Sequence, residues 1–174
     1  MEKKDLRKYA KEVRRTIEID KISSAILLNI KAMPEFKRAK NVLLYYPAAY
    51  EINLLELCAE NKNFYLPRVS GVELLVCPYD CNVRLEKSSF NILEPCSKPV
   101  SPDIIDFAII PCLMADRKNF RLGYGGGFYD RFLPSLSPDC VKIAPVAAEL
   151  LVEKLPVEGF DIPVDFVVTQ NEIF

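Results

Sequence analysis

The sequence predicts a single-domain α/β protein, three layers deep, with a central mixed, largely parallel sheet. Three observations predict it. Helical and strand-like segments alternate along the chain. Two short runs, residues 41–48 (NVLLYYPA) and 106–111 (DFAIIP), are almost wholly apolar, as strands covered on both faces are. A stretch holding four of the six glycines, residues 123–127, follows the second run.

The elements follow in order. Residues 2–33 read as helical: Leu6, Tyr9, Val13 and Ile17 build one apolar face, and a second helix after Asp20 carries Ile22, Ile26, Ile30 and Met33 up to Pro34. After the first strand, residues 52–60 read as a helix. Residues 63–66 and 73–78 read as strands around a Gly71 turn. Residues 80–104, punctuated by proline, are expected to form short strands and loops. Beyond the strand at 106–111, a polar connection over 116–121 enters the glycine-rich stretch. A short helix over 128–133 ends at Pro134, and residues 141–148 and 165–169 read as two more strands.

Composition narrows the function. The chain has 174 residues, half of them apolar, enough for one domain with a sizeable core. A formal net charge of −1 argues against a nucleic-acid binder, which carries a basic excess. No apolar run is long enough for a membrane helix, and the charged start Met1-Glu2-Lys3-Lys4-Asp5 is unlike a signal peptide, so a cytoplasmic protein is expected. Histidine is absent, which excludes Ser-His-Asp and Cys-His catalysis. Cys58, Cys77, Cys81, Cys96, Cys112 and Cys140 lack ligand spacing and are expected as small buried apolar residues.

The chemistry concentrates in Arg121-Leu122-Gly123-Tyr124-Gly125-Gly126-Gly127-Phe128-Tyr129-Asp130-Arg131. Glycine lets the backbone reach positive φ and approach a ligand, so that successive N–H groups form a nest for an anion. A helix beginning here would add free N–H groups and partial positive charge. Arg121 and Arg131 suit phosphate oxygens. Neither common phosphate motif fits: no Gly-Lys-Ser/Thr ends the loop, and Phe128 stands where Gly-x-Gly-x-x-Gly needs glycine. A flexible surface loop would be diluted with Ser and Asn, whereas this one interleaves aromatic residues and is flanked by arginines.

Asp130 beside a phosphate calls for an intervening cation, and Mg²⁺ is the usual one. Asp161, in Gly159-Phe160-Asp161-Ile162-Pro163, is a second candidate ligand. The alternatives are that Asp130 favours the short helix and Asp161 makes an Asx-turn. Lys3, Arg7, Lys11 and Arg14 share a face of the first helix, either as a solvated surface or as a second wall of a polyphosphate site.

The Arg121–Arg131 run resembles the signature of the 5-formyltetrahydrofolate cyclo-ligase (methenyltetrahydrofolate synthetase) family. The resemblance spans nearly the whole chain: Lys3-Lys4-Asp5-Leu6-Arg7, Tyr45-Tyr46-Pro47 with Glu51-Ile52, Leu66-Pro67-Arg68, Glu94-Pro95, Ile109-Ile110-Pro111, Leu155-Pro156, Asp161-Ile162-Pro163-Val164-Asp165 and Val167-Val168-Thr169. It implies one cyclo-ligase-like domain over residues 1–174. It also implies an ATP- and Mg²⁺-dependent ring closure of 5-formyltetrahydrofolate to 5,10-methenyltetrahydrofolate, with ADP and phosphate released. The formyl oxygen takes the γ-phosphoryl group, N10 attacks the phosphorylated imidate, and phosphate leaves.

By position, the resemblance assigns ATP to Lys3, Arg7, Arg121, Leu122, Gly123, Tyr124, Gly125, Gly126, Gly127, Phe128 and Tyr129. It assigns catalysis to Arg121 and Tyr129, folate to Tyr46, Glu51 and Tyr124, and Mg²⁺ to Asp130 and Asp161. The implied partner is a small-molecule substrate, with no nucleic acid and no membrane, and the chain is expected as a monomer or weak dimer. Two alternatives share the phosphate loop: a non-catalytic folate- or nucleotide-binding relative, and a kinase acting on another small acceptor. The sequence departs from the family pattern at Cys112-Leu113-Met114-Ala115-Asp116, Asn119-Phe120, Leu54, Phe160 and near Glu149, departures expected to bear on the substrate side more than the phosphate side.

Overall fold

The computed structural model describes residues 2–80, 82–89 and 91–174. Cys81, one of the expected buried cysteines, lies outside the described residues. The chain opens with α1 (Lys3–Arg14) and α2 (Ile19–Ala32), and Pro34 begins a further short helix, α3 (Pro34–Arg38), in the first-turn position that suits proline. On α2 the expected apolar positions hold, with Ile22, Ile26 and Ile30 buried. On α1 Leu6 and Val13, with Ile17 just beyond the helix, pack against the core as expected, whereas Tyr9 is exposed; the buried residues are Ala10 and Arg14. Of the four cations on α1, Arg14 is turned inward, Lys3 and Arg7 are half-buried and Lys11 is exposed.

A six-stranded sheet runs in the order β11 (Phe166–Val168), β9 (Val141–Pro145), β6 (Phe107–Ile109), β1 (Asn41–Leu43), β2 (Asn63–Ser70), β3 (Glu73–Tyr79). Every pairing is parallel except the β2–β3 hairpin, so the sheet is mixed and largely parallel, as expected. Its middle strands are wholly buried: Val42, Leu43, Phe107, Ala108 and Ile109 have no exposed surface. This explains why they read as continuous apolar runs. Asp106 ties the starts of two neighbouring strands together by accepting the Lys40 and Asn41 amides at 2.9 and 3.0 Å.

Sequence and structure differ over 52–60 and 116–121 and agree over 80–104, where short strands and loops are expected. Residues 52–60 form one 3-10 stretch (Leu55–Ala59), entered where the Asn53 side chain accepts the Leu55 amide at 3.0 Å. Residues 80–104 contain the hairpin of β4 (Leu85–Lys87) and β5 (Leu93–Pro95). The connection expected over 116–121 is the turn of a second hairpin, β7 (Met114–Asp116) and β8 (Arg121–Leu122), which with β10 (Leu151–Val152) forms a small separate sheet.

That turn explains Asp116, which is 0% exposed. One of its carboxylate oxygens accepts the Lys118 and Phe120 amides at 2.9 and 3.0 Å, and the other accepts the Leu155 amide at 2.9 Å. Backbone donors thus stabilise a carboxylate that burial alone would disfavour. Asn119 takes φ +64 within the turn, the left-handed region that asparagine tolerates better than most residues.

Candidate active site

Counting outward from β1, the chain first adds β2 and β3 on one side, then returns to add β6, β9 and β11 on the other. The boundary between β1 and β6 is thus the point where the sheet reverses its direction of growth. In open α/β sheets, ligands bind outside the carboxyl ends of the strands at such a point. Two segments leave the sheet there: residues 44–51 after β1 and residues 110–112 after β6.

After β1, Tyr46 is half-buried and packs against the core. The chain then turns, with Tyr50 at φ +63 and the Glu51 amide donating to the Ala48 carbonyl at 3.1 Å. The turn folds the Glu51 side chain back on itself, so that its Oε2 accepts the Ala48 amide at 2.7 Å. Glu51 is buried, and its Oε1 accepts the hydroxyl of Tyr124 from the glycine loop.

The glycine loop leaves β8 and enters α4 (Phe128–Phe132). Gly125 and Gly127 take φ +105 and +66, and a Cβ on Gly127 would sit 2.7 Å from the Arg131 guanidinium. The short α4, only five residues, contributes little dipole, so an anion bound here would rely on the loop's own amides and the neighbouring cations. Arg7 reaches in from α1, its Nε donating to the Gly123 carbonyl at 2.9 Å and its guanidinium lying against Gly125. Arg131 holds the loop from outside, donating to the Gly126 carbonyl at 3.0 Å and to the Val72 carbonyl at 2.9 Å. It supports the loop's shape through these carbonyls, a different use from the phosphate contact expected of it.

Arg121 is buried and pairs with Asp130: two of its nitrogens lie 3.0 and 3.1 Å from Oδ1, which also accepts the Ile162 amide at 3.3 Å. Lys3 lies between Glu158 and Asp161, 2.6 Å from each, with the exposed Phe160 ring 5.5 Å away. Burial lowers the Lys3 pKa, but the hydrogen bonds it donates to Asp161 and Glu158, with their negative charge, outweigh it and the net shift is upward. Burial also drives the Tyr129 phenol upward, the Glu51 carboxylate adding to the effect and Arg121 opposing it. Tyr129 is therefore a neutral hydroxyl at physiological pH.

Among the described residues, no three carboxylate, cysteine or histidine side chains cluster as a metal cage. Two carboxylates do reach the loop region, and each uses a single oxygen in its described bonds: Oδ1 of Asp130 and Oδ2 of Asp161. That donor set fits Mg²⁺, which takes one or two carboxylates and completes its shell with phosphate oxygens and water.

Several residues were not legible as site members. Arg14 is 5% exposed and joins Tyr124 and Glu51, whereas the sequence offered it only as one of four stripe cations. Its burial beside the buried Ala10 is a signal only in hindsight. Glu158, partner of Lys3, has no motif of its own. The departures from the family pattern are spread through the structure, and Cys112 among them accepts Arg14 beside Glu51. Phe160 lies beside Lys3 and Asn119 in the β7–β8 turn, neither on the Glu51 side, while Leu54 is buried in the core and Glu149 accepts the Gln170 side chain at 3.0 Å. Of the cysteines, Cys77, Cys112 and Cys140 are buried, and burial raises the Cys112 thiol to about 11; Cys96 is exposed.

Fold and site together define a class: an α/β enzyme with a glycine loop and a cationic helix meeting at the switch point of a largely parallel sheet. Comparison with known proteins makes it particular. Residues 1–170 match the model of the 5-formyltetrahydrofolate cyclo-ligase family. The 5-formyltetrahydrofolate cyclo-ligases of Haemophilus influenzae and Escherichia coli K12 are 32% and 37% identical, over 74% and 68% of this chain and 75% and 69% of theirs. The NMR structure of Aquifex aeolicus 5,10-methenyltetrahydrofolate synthetase superposes with a TM-score of 0.88 at 32% identity, covering 99% of this chain and 92% of that one. A Mycoplasma pneumoniae synthetase shares the fold, with a TM-score of 0.79 at 22% identity over 98% of this chain and 99% of the other. The chain belongs to the 5-formyltetrahydrofolate cyclo-ligase family.

Proposed function

We propose that the whole chain works as one domain that closes 5-formyltetrahydrofolate to 5,10-methenyltetrahydrofolate at the expense of ATP. The observation that carries this is the direct contact between the two halves of the site: Tyr124, in the middle of the glycine loop, donates to Glu51 at the switch point. A nucleotide on the loop and a pterin on Glu51 would therefore meet within the reach of one side chain.

In this reading the loop amides from Gly123 to Phe128, with Lys3 and Arg7, bind the polyphosphate. Leu122 seats the loop from the core, being buried in β8. Arg121 and Tyr129 orient the γ-phosphoryl group, Arg121 as a fixed cation and Tyr129 as a neutral donor. Asp130 and Asp161 would hold Mg²⁺, which when bound neutralises phosphate charge. Glu51 accepts donors from the pterin edge side by side, and Tyr46 covers the ring. The formyl oxygen bonds to the γ-phosphorus as ADP departs, converting a poor leaving group into a good one. N10 then attacks the formyl carbon, loses its proton and expels phosphate. None of these steps needs an imidazole, and positioning with charge neutralisation carries most phosphoryl transfer.

The purified protein with MgATP and 5-formyltetrahydrofolate should generate the near-ultraviolet absorbance of the methenyl product, and should not do so without ATP. Folded protein that gives no signal at high concentration would refute turnover and leave a binding relative. Phosphate retained on an acceptor would mark a kinase.

A further inference from the structure

Arg14 lies at the switch point and touches both segments that leave the sheet there. Its Nη2 donates to the Cys112 carbonyl, just beyond β6. Its Nη1 donates to the Tyr124 hydroxyl at 2.7 Å and lies 3.8 Å from Oε1 of Glu51, the carboxylate that follows β1. The guanidinium and the carboxylate side chains are each 6% exposed. A charge buried this far is tolerated only when paired and hydrogen-bonded, and here the bonding sets directions. Because Arg14 donates to the Tyr124 oxygen, the tyrosine's own proton is free to point at Oε1. The Ala48 amide fixes Oε2. The carboxylate is thus held at both oxygens before any ligand arrives, and the tyrosine that holds it belongs to the glycine loop.

We infer that Arg14 is a positioning residue for the folate-binding carboxylate, acting through Tyr124 and Glu51 and anchored to the strand end at Cys112. The inference rests on the cyclo-ligase reading and deepens it. It takes Arg14 away from the other three cations of its stripe. Arg7 bonds a loop carbonyl, Lys3 pairs with the 158–161 segment, and Lys11 is exposed with its ammonium 6.0 Å from the Tyr124 ring, whereas Arg14 among them meets the Glu51 carboxylate.

Lysine at position 14 keeps the charge but cannot reach Cys112, Tyr124 and Glu51 together, because its donors sit on one nitrogen. Steady-state kinetics of Arg14→Lys should show KM for 5-formyltetrahydrofolate raised about tenfold, the worth of a hydrogen bond to a charged group, with KM for ATP changed by less than about threefold. Tyr124→Phe should move the same parameter the same way. The double variant Arg14→Lys/Tyr124→Phe should be no worse than about twofold beyond the weaker-binding single variant, since both remove one connected interaction. Arg14→Met should exceed Arg14→Lys in its effect on folate KM, and melting temperatures of all variants confirm that they are folded.

Three results would overturn the inference: an unchanged folate KM in folded Arg14→Lys, equal rises in both substrates' KM, or effects that multiply in the double variant. A wild-type protein without turnover would defeat the cyclo-ligase reading instead. The rise in melting temperature with 5-formyltetrahydrofolate then decides Arg14 separately. A rise in wild type that is weakened in Arg14→Lys upholds the role, and an equal rise, or none in wild type, ends it.

Discussion

The two sides of the site are built in opposite ways. The proposed phosphate side is an exposed backbone loop, with glycines at positive φ and cations delivered from a distant helix. The proposed folate side is a side-chain network in which the buried Arg14 and Glu51 bond the hydroxyl of Tyr124, a residue itself 47% exposed. The loop can accept any ligand that offers phosphate oxygens in the right curve, so it carries affinity. The network is fixed in advance and leaves a defined set of free lone pairs, so it carries selectivity. Burial and the neighbouring Glu51 hold the Tyr124 phenol protonated, with Arg14 opposing them. The network therefore keeps its donor through the physiological pH range.

Three sets of substitutions can break or sharpen this contrast. The largest effect is expected of Asp130→Asn, which keeps an oxygen for Arg121 and the Ile162 amide but removes the charge. In the proposed mechanism kcat/KM should fall about 100-fold, the scale of the few kcal/mol a metal ion's charge supplies, and titration with Mg²⁺ should no longer raise the rate. Activity that still responds normally to Mg²⁺ would remove Asp130 from the metal site.

Next comes a matched pair. Gly127→Ala strains a residue at φ +66 and pushes a methyl group toward Arg131, so KM for ATP should rise about tenfold. Glu51→Gln should raise KM for folate by a comparable factor of about ten. If each variant moves both constants alike, the division into two sides fails. The smallest effect is expected at Asn119. Alanine there meets φ +64 and loses the 3.1 Å bond to the Asp165 carbonyl, costing about 1 kcal/mol in a denaturant titration, while glycine should cost less.

The same contrast governs what could be read from the sequence. A loop that works through bare backbone must spend glycines, and four in five residues are visible at once. Middle strands buried on both faces announce themselves as apolar runs, and so residues 41–48 and 106–111 located β1 and β6. Side-chain networks give no such sign. The Arg14–Tyr124–Glu51 cluster joins positions separated by 110 and 73 residues, and nothing local marks them as partners. The β7–β8 hairpin was hidden for a related reason: a buried carboxylate, Asp116, shapes its turn, and acidic residues in a polar stretch read as solvent-facing. On α1 periodicity found Leu6 and Val13 but gave no sign that Tyr9 is exposed and Arg14 buried.

Lys3 and Arg7 meet their partners 155, 158 and 116 residues downstream. During synthesis α1 therefore meets the partners of Lys3 and Arg7 only after much of the polypeptide has followed it, and contacts of such high sequence separation form late and slowly. α1 thus completes its loop contacts only after the strands that follow it have been made, although Arg14 can already meet Glu51 once the first strand and its turn exist.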